Sequence, residues 1–257
     1  WSEAMYRIAL CIVSYNRRPY TERTLAPLLE QLEGGEHDLH LFVYDNASSD
    51  STPEYLREIE ARHEKVTVVL GDENVGVTNA TKHLLERHVF GGGFDFIAKN
   101  DDDELLPDDW MGVCDYWREF EAAGGVVVGF KRQGLEDYFS GLEWVSRRRE
   151  NLTPIVAGPY VGFLSYIVPG FQMTTEAWWR KIVPHLSDYG QSLGGWDPSM
   201  AMTVRDVLGK QCLVIFNRLS IHFQRDEDYP EYSAAKNKQV GAVRETIFEL
   251  RRQGAIK

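Results

Sequence analysis

Residues 8–15, Ile-Ala-Leu-Cys-Ile-Val-Ser-Tyr, form a continuous apolar run of strand length. Such a run predicts a strand buried on both faces of a parallel sheet. It stops at Asn16-Arg17-Arg18-Pro19, after which Leu25, Leu28, Leu29 and Leu32 recur at helical spacing until Gly34-Gly35. A second strand is predicted over 39–44, closing on a polar stretch from Asp45 to Thr52. Pro53 opens a helix carrying Tyr55, Leu56 and Ile59, and Val66 to Leu70 makes a third strand that ends in Gly71-Asp72-Glu73-Asn74-Val75-Gly76. A helix through Ala80, Leu84 and Leu85 leads to Gly91-Gly92-Gly93 and a fourth strand over 94–99. This alternation predicts an α/β fold with a doubly wound, mainly parallel sheet, whose ligands bind at the carboxyl ends of the strands.

Three predicted strand ends carry polar, turn-forming clusters: Ser14-Tyr15-Asn16, Asp45-Asn46-Ala47-Ser48 and Asn100-Asp101-Asp102-Asp103. The last belongs to four consecutive acids, Asp101 to Glu104. Like charges at the end of a buried strand need full solvation or a shared cation, and hard carboxylate oxygens suit Mg2+ or Mn2+. The competing reading is an acidic turn before the helix start Pro107-Asp108-Asp109. A fold that lines up its strand ends brings all three clusters into one cleft, which favours the metal reading.

The second half is less regular. Strands are predicted over 126–131, 155–160, 163–168, 214–216 and 219–222, and helices over 176–185 and 196–208. The aromatic, polar segment 132–151 has no clear period and reads as a substrate-side insertion. Residues 190–195 form a Gly-rich loop, 226–232 an acidic loop, and 233–253 an amphipathic helix packing onto the body.

Composition adds bounds. The 257 residues, 43% hydrophobic and 26% charged, suit one soluble globular domain, and no apolar stretch is long enough to span a bilayer as a helix. A net charge of -11 opposes attraction to a phosphate backbone, so a nucleic-acid partner is disfavoured, although Arg147-Arg148-Arg149 is a local basic cluster. Cys11, Cys114 and Cys212 have no metal-ligand spacing and read as buried thiols of a reducing compartment, hence a cytoplasmic location, soluble or peripheral. The sequence begins at Trp1 without a basic-then-apolar leader, which constrains location only weakly.

Four blocks carry a family likeness. Ile12-Val13-Ser14-Tyr15-Asn16-Arg17, Val43 to Thr52, Asn74-Val75-Gly76-Val77-Thr78-Asn79-Ala80, and Asn100-Asp101-Asp102-Asp103 with Pro107 together resemble the family 2 glycosyltransferases of the A-type (GT-A) fold. The resemblance implies an inverting, metal-dependent transfer of a sugar, hexosyltransferase in type, from a nucleotide diphosphate donor to an acceptor hydroxyl. A UDP-sugar is favoured as donor, and a dTDP-sugar is the alternative. Residues 1–110 become a nucleotide-sugar half, 111–225 an acceptor half, and 226–257 a C-terminal loop and helix. Ser14, Tyr15, Asn16, Asp45, Asn46, Asn74, Gly76, Asn79, Asn100 and Asp101 are then donor-binding residues. Asp45 accepts from a uracil or thymine N–H, and Asp101 from ribose hydroxyls. Asp102 is the metal ligand, with Asp103 as a substitute. His222 falls where some such enzymes place a further ligand, although a structural role fits it too. Asp197, in Gly194-Gly195-Trp196-Asp197, matches the general base, while helix capping before Pro198 fits the same residues. One departure is Asn100, where the family commonly has Asp.

Two other classes stay open. The tryptophans at 110, 117, 144, 178, 179 and 196 are compatible with a catalytically silent sugar-nucleotide or glycan-binding module, which would not need an acid at 197. A nucleotidyltransferase would need a basic Gly-rich loop after the first strand, and residues 16–19 are not one. The acceptor is left open among a glycan, a lipid-linked sugar, a protein, a metabolite and a modified DNA base, with a soluble acceptor favoured.

Overall fold

The computed structural model describes residues 5–133, 153–165, 168, 170–186, 196–223 and 252. Strands β1 (Arg7–Ser14), β2 (Asp38–Asp45), β3 (Val66–Leu70) and β4 (Phe96–Asp101) alternate with helices α1 (Arg18–Gly34), α2 (Thr52–Arg62) and α3 (Gly76–Leu84). A two-residue strand β5 (Glu104–Leu105) and a 3-10 turn over 110–116 lead into α4 (Trp117–Ala122). The rest of the chain contributes β6 (Gly125–Arg132), β7 (Ile155–Ala157), β8 (Tyr160–Ser165), β9 (Gln172–Thr175), α5 (Glu176–Ile182), α6 (Trp196–Met202) and β10 (Gln211–His222).

These strands make one mixed sheet in the order β3-β2-β1-β4-β9-β6-β10-β8-β7, with β5 paired to β10. β3, β2, β1 and β4 run parallel, while β9 lies antiparallel between β4 and β6. The apolar run of β1 divides between two cores as a strand's twofold period requires. Ile8, Leu10 and Ile12 pack on one face with Leu25, Leu28 and Leu32 of α1; Ala9 and Cys11 pack on the other with Ala80 and Leu84 of α3. All three cysteines are buried.

The predicted elements of the first half are all present, with small shifts of boundary. In the second half the strands predicted over 155–160 and 163–168 are replaced by a hairpin, β7 to β8, turned at Gly158, whose φ of 53° suits glycine. The two predicted closing strands are one strand, β10, with an irregularity between Ile215 and Leu219 that made it read as two. β9 was not anticipated. The helix of 196–208 finishes as a π-turn over 203–207, and that of 176–185 as a 3-10 turn at Pro184. The segment 134–152, with its Arg triplet, the loop 190–195 and the acidic loop 226–232 lie outside the described residues, as does nearly all of the helix proposed over 233–253. No helix among the described residues is long and apolar enough to cross a membrane.

Candidate active site

Parallel pairing sets the strand ends level. Ser14 is opposite Asp45, Val13 opposite Asp101, and Asp45 opposite Leu70. The loops after β1, β2 and β3 are stitched together by side chains. Asn16 N–H donates to Ser48 Oγ at 2.8 Å, and Ser49 N–H donates to Asn16 Oδ1 at 2.6 Å. Asn46 donates through Nδ2 to Asn74 Oδ1 at 2.8 Å and accepts from Val75 N–H at 2.9 Å, while Gly76 N–H donates to Asn74 Oδ1 at 3.0 Å. Asn79 turns back to the Val75 carbonyl. Among the described residues the non-glycine positions in the left-handed region are Asn16 (φ 52°) and Ala47 (φ 62°), one in each of the first two loops. Such backbone persists only where its surroundings fix it, which these hydrogen bonds do.

Asp45 ends β2 with 2% of its surface exposed. Its Oδ2 accepts from Ser48 N–H at 3.0 Å, and its buried Oδ1 has no partner. Burial raises its pKa above the usual carboxylate value, against the pull of Ser48. A buried acceptor left unmet is costly, so it marks a place for a donated N–H. Tyr15 stands half-buried after β1, and Ser14 is buried with its Oγ 2.5 Å from Thr21 Oγ1.

The acid run divides sharply. Asp102 and Asp103 are 1% and 2% exposed, and both are ion-paired to the buried guanidinium of Arg17. His222 Nε2 lies 3.4 Å from Asp103 Oδ2. Burial, with Asp103 and Asp101 beside it, pushes Asp102 up to about 6 against the attraction of Arg17. At Asp103 burial is outweighed by Arg17 and His222, which hold it well below the usual range. Asn100 is buried, its Nδ2 donating to the Glu104 carbonyl at 2.9 Å. Asp101 alone of the three aspartates keeps appreciable exposure, 27% of its side chain, and it is clasped by Lys99 and Arg132. Arg132 also binds Glu104, with Nε 2.9 Å from Oε2.

Asp197, at the start of α6, adjoins this cluster through Gln172 of β9, which stands opposite Lys99 and donates through Nε2 to Asp197 Oδ1 at 3.1 Å. Burial works against the charge of Lys99, but Asp101 and Asp197 outweigh it and hold the ammonium above the ordinary lysine value. Arg132 likewise feels Glu104, Asp101 and Asp197. Most of the predicted site residues gather in three groups, with Ser14, Tyr15 and Asn100 at the ends of β1 and β4 beside them. The first comprises Asn16, Asp45, Asn46, Asn74, Gly76 and Asn79; the second Asp102, Asp103 and His222 around Arg17; the third Asp101 and Asp197 around Lys99 and Arg132. Arg17, Lys99, Arg132 and Gln172 are the members that sequence reasoning did not single out for the site. Lys99 carried a signal, because a lysine inside a strand buried on both faces must meet carboxylates.

For a divalent ion, the second group does not serve as placed. Its carboxylates are shut off from solvent and committed to Arg17, and no three His, Cys, Asp or Glu side chains converge as a cation site among the described residues. Asp101 fits better, since Mg2+ and Mn2+ need only one or two protein carboxylates when substrate phosphates supply the rest. The charge balance fits as well. Asp101, Asp102, Asp103, Glu104 and Asp197 face Arg17, Lys99 and Arg132, an excess of two negative charges when all are ionised.

Comparison with known proteins places the chain. A comparison with curated proteins finds no match. Among solved structures, the mannosyltransferase PcManGT from Pyrobaculum calidifontis in complex with GDP-Man and Mn2+ aligns with a TM-score of 0.56 at 18% identity, over 83% of this chain and 57% of its own. S. aureus TarS 1-349 in complex with UDP-GlcNAc gives 0.54 at 13% identity, over 85% and 56%. GalNAc-T7 with UDP, GalNAc and Mn2+ gives 0.59 at 12% identity, over 88% and 44%. The chain thus spans less than two thirds of each of these structures, and at such identities the likeness establishes the GT-A fold. The profile of glycosyl transferase family 2 matches residues 9–166, more than half of the sequence and the whole of the strand-end constellation except Gln172, Asp197 and His222. Fold and profile agree, and the chain belongs to glycosyl transferase family 2.

Proposed function

We propose that the protein transfers a sugar from a nucleotide diphosphate donor to an acceptor hydroxyl with inversion, and that Asp197 is its general base. The observation that carries this reading is the placement of Asp101 and Asp197 on the two sides of one ladder pair: Lys99 of β4 binds Asp101, and Gln172, which stands opposite Lys99 on β9, donates to Asp197 Oδ1 at 3.1 Å. A nucleotide bound at the strand ends then has its sugar beside a carboxylate held on a separate element.

The residues divide the work. Asp45 Oδ1 accepts the N–H of a uracil or thymine ring, Tyr15 and Asn16 border the base, and the Asn46–Asn74 pair fixes the loop walls. These contacts orient the donor, which is most of their contribution to rate. An acceptor hydroxyl is too weak an acid to attack unaided, so Asp197 takes its proton as the oxygen closes on the anomeric carbon. In-line displacement inverts that carbon. Asp101 is the residue that would hold Mn2+ or Mg2+. A divalent ion bound there supplies charge to offset the departing diphosphate. That GDP-Man and Mn2+ accompany PcManGT, and UDP-GlcNAc accompanies TarS, supports a nucleotide-sugar donor and a metal. The unpartnered acceptor of Asp45 suits the ring N–H of uracil or thymine; guanine presents a ring N–H as well, so the choice of a UDP-sugar or dTDP-sugar over GDP-mannose is decided by titration.

Calorimetric titration of UDP, dTDP and GDP with Mn2+, with Mg2+ and with EDTA tests the donor site. UDP or dTDP is expected to bind, more tightly with metal. Asp45→Asn is expected to weaken uracil and thymine nucleotides by about 10- to 100-fold, because its one acceptor oxygen cannot serve both Ser48 N–H and the base. Absence of binding by every nucleotide diphosphate would refute the donor site and leave a silent binding module as the better reading.

A further inference from the structure

Gln172 is fully buried on β9. Its carbonyl oxygen accepts Trp196 Nε1–H at 2.6 Å, and its amide nitrogen donates to the Val168 carbonyl at 2.8 Å and to Asp197 Oδ1 at 3.1 Å. Two of these partners have a single polar sense. An indole N–H only donates and a backbone carbonyl only accepts, so the orientation of the amide is fixed without reference to Asp197. The second amide hydrogen is thereby delivered to the carboxylate. Trp196 is itself anchored. Its ring lies 6.0 Å from that of Trp179, whose Nε1 donates to the Ile97 carbonyl of β4 at 2.8 Å. Across the ladder from Gln172 stands Lys99, which carries its ammonium 5.8 Å from the Trp196 ring. Two strands and two indoles therefore lock one amide against one carboxylate.

We propose that Gln172 is the positioning residue for Asp197, holding the carboxylate in the orientation from which it takes the acceptor proton. This rests on the reading of Asp197 as the base. A hydrogen bond of this kind also favours the ionised form, the one a base requires. Capping does not account for the arrangement, because a cap accepts from backbone N–H groups of its own helix, whereas Asp197 accepts here from a side chain of β9, 25 residues earlier in the chain.

The test measures release of UDP from UDP-glucose and UDP-GlcNAc, and of GDP from GDP-mannose, with water as acceptor, in Gln172→Met, Asp197→Asn and the double variant. Met keeps the volume and removes the donated hydrogen. Gln172→Met is expected to lower kcat about 30- to 100-fold, the order of loss that follows a misplacement of about 1 Å, with donor KM within about threefold of the parent. In the Asp197→Asn background it is expected to add less than about twofold, since residues acting as a unit are not additive. Trp196→Phe, which frees the amide but leaves it in place, is expected to give a smaller loss of kcat in the same sense. This variant carries the test if Gln172→Met does not fold. An unchanged kcat in both variants overturns the proposal, and so does an equal loss on the Asp197→Asn background. An Asp197→Asn protein as active as the parent, or a parent inactive on every donor, brings down the base reading and the proposal together. That outcome is separable from the first two, which leave Asp197 standing.

Discussion

Arg17 shows how one residue can decide the reading of its neighbours. The run Asp101-Asp102-Asp103 looks uniform as sequence, yet one member keeps part of its side chain exposed and two are buried on a guanidinium 85 and 86 positions away in the chain. Because Arg17 neutralises two buried carboxylates at once, its removal strands both. Arg17→Met is expected to destabilise the protein by about 3–5 kcal/mol, read as a lowered midpoint in urea unfolding. A loss under about 1 kcal/mol would mean that the acids do not depend on it. Asp45, Asn46 and Asn74 were legible from sequence because turn chemistry is local. The split within the acid run was not, because it depends on Arg17, Thr21 and Thr24 of α1 reaching across to Asp102, contacts between distant parts of the chain.

At the scale of elements, β1 and β2 are fastened at their beginnings by Asp38, which binds Lys65 Nζ at 2.6 Å, Arg7 Nε at 3.3 Å and His40 Nε2 at 3.2 Å. Burial would raise Asp38, but Lys65 and His40 outweigh it and bring it down to about 2. A lowered folded value means that the stabilisation is whole above the unfolded value of about 3.9 and is lost as the pH falls through about 2. After allowance for solvent screening it is worth about 1 kcal/mol. Asp38→Asn is expected to cost that much in urea unfolding at pH 7, and the gap between variant and parent should shrink at pH 3; a gap independent of pH would locate the effect elsewhere. Elements with long apolar runs, β1 to β4 and α1, were readable for the same reason that they are stable: each buries a regular face. β9 was not, because Gln172-Met173-Thr174-Thr175 has only one apolar member, and its place is set by edges offered by β4 and β6. The candidate base shared this fate in part, since its position could be found by analogy but its support from Gln172 lies on the strand that periodicity missed.

For the whole molecule the decisive feature is sheet order. The parallel half ends at β4, and the mixed half is not simply appended beside it, because β9 enters between β4 and β6. The candidate site is correspondingly divided: the hydrogen-bonded loops after β1, β2 and β3 belong to the parallel half, whereas Lys99, Asp101, Arg132 and, through Gln172, Asp197 draw on both halves of the sheet. A fragment ending at Gln133 would keep β1 to β6 and lack β9. Its β4 would be an open edge with Lys99 deprived of Asp197, so it is expected to associate into soluble oligomers or aggregates, detectable by sedimentation velocity, where the complete chain does not. A monodisperse, folded fragment would show that the parallel half is independent.

The same insertion has a temporal side. As a ribosome delivers the chain, β4 emerges some seventy residues ahead of the strand that will flank it, which at about 5–20 residues per second leaves its edge unshielded for several seconds. Through that interval nothing but transient cover, from the nascent chain itself or from a chaperone, stands between β4 and the edge of another molecule. The half that carries the more readable part of the site is thus also the half with the longest wait, and Asp101 is made 96 residues before Asp197.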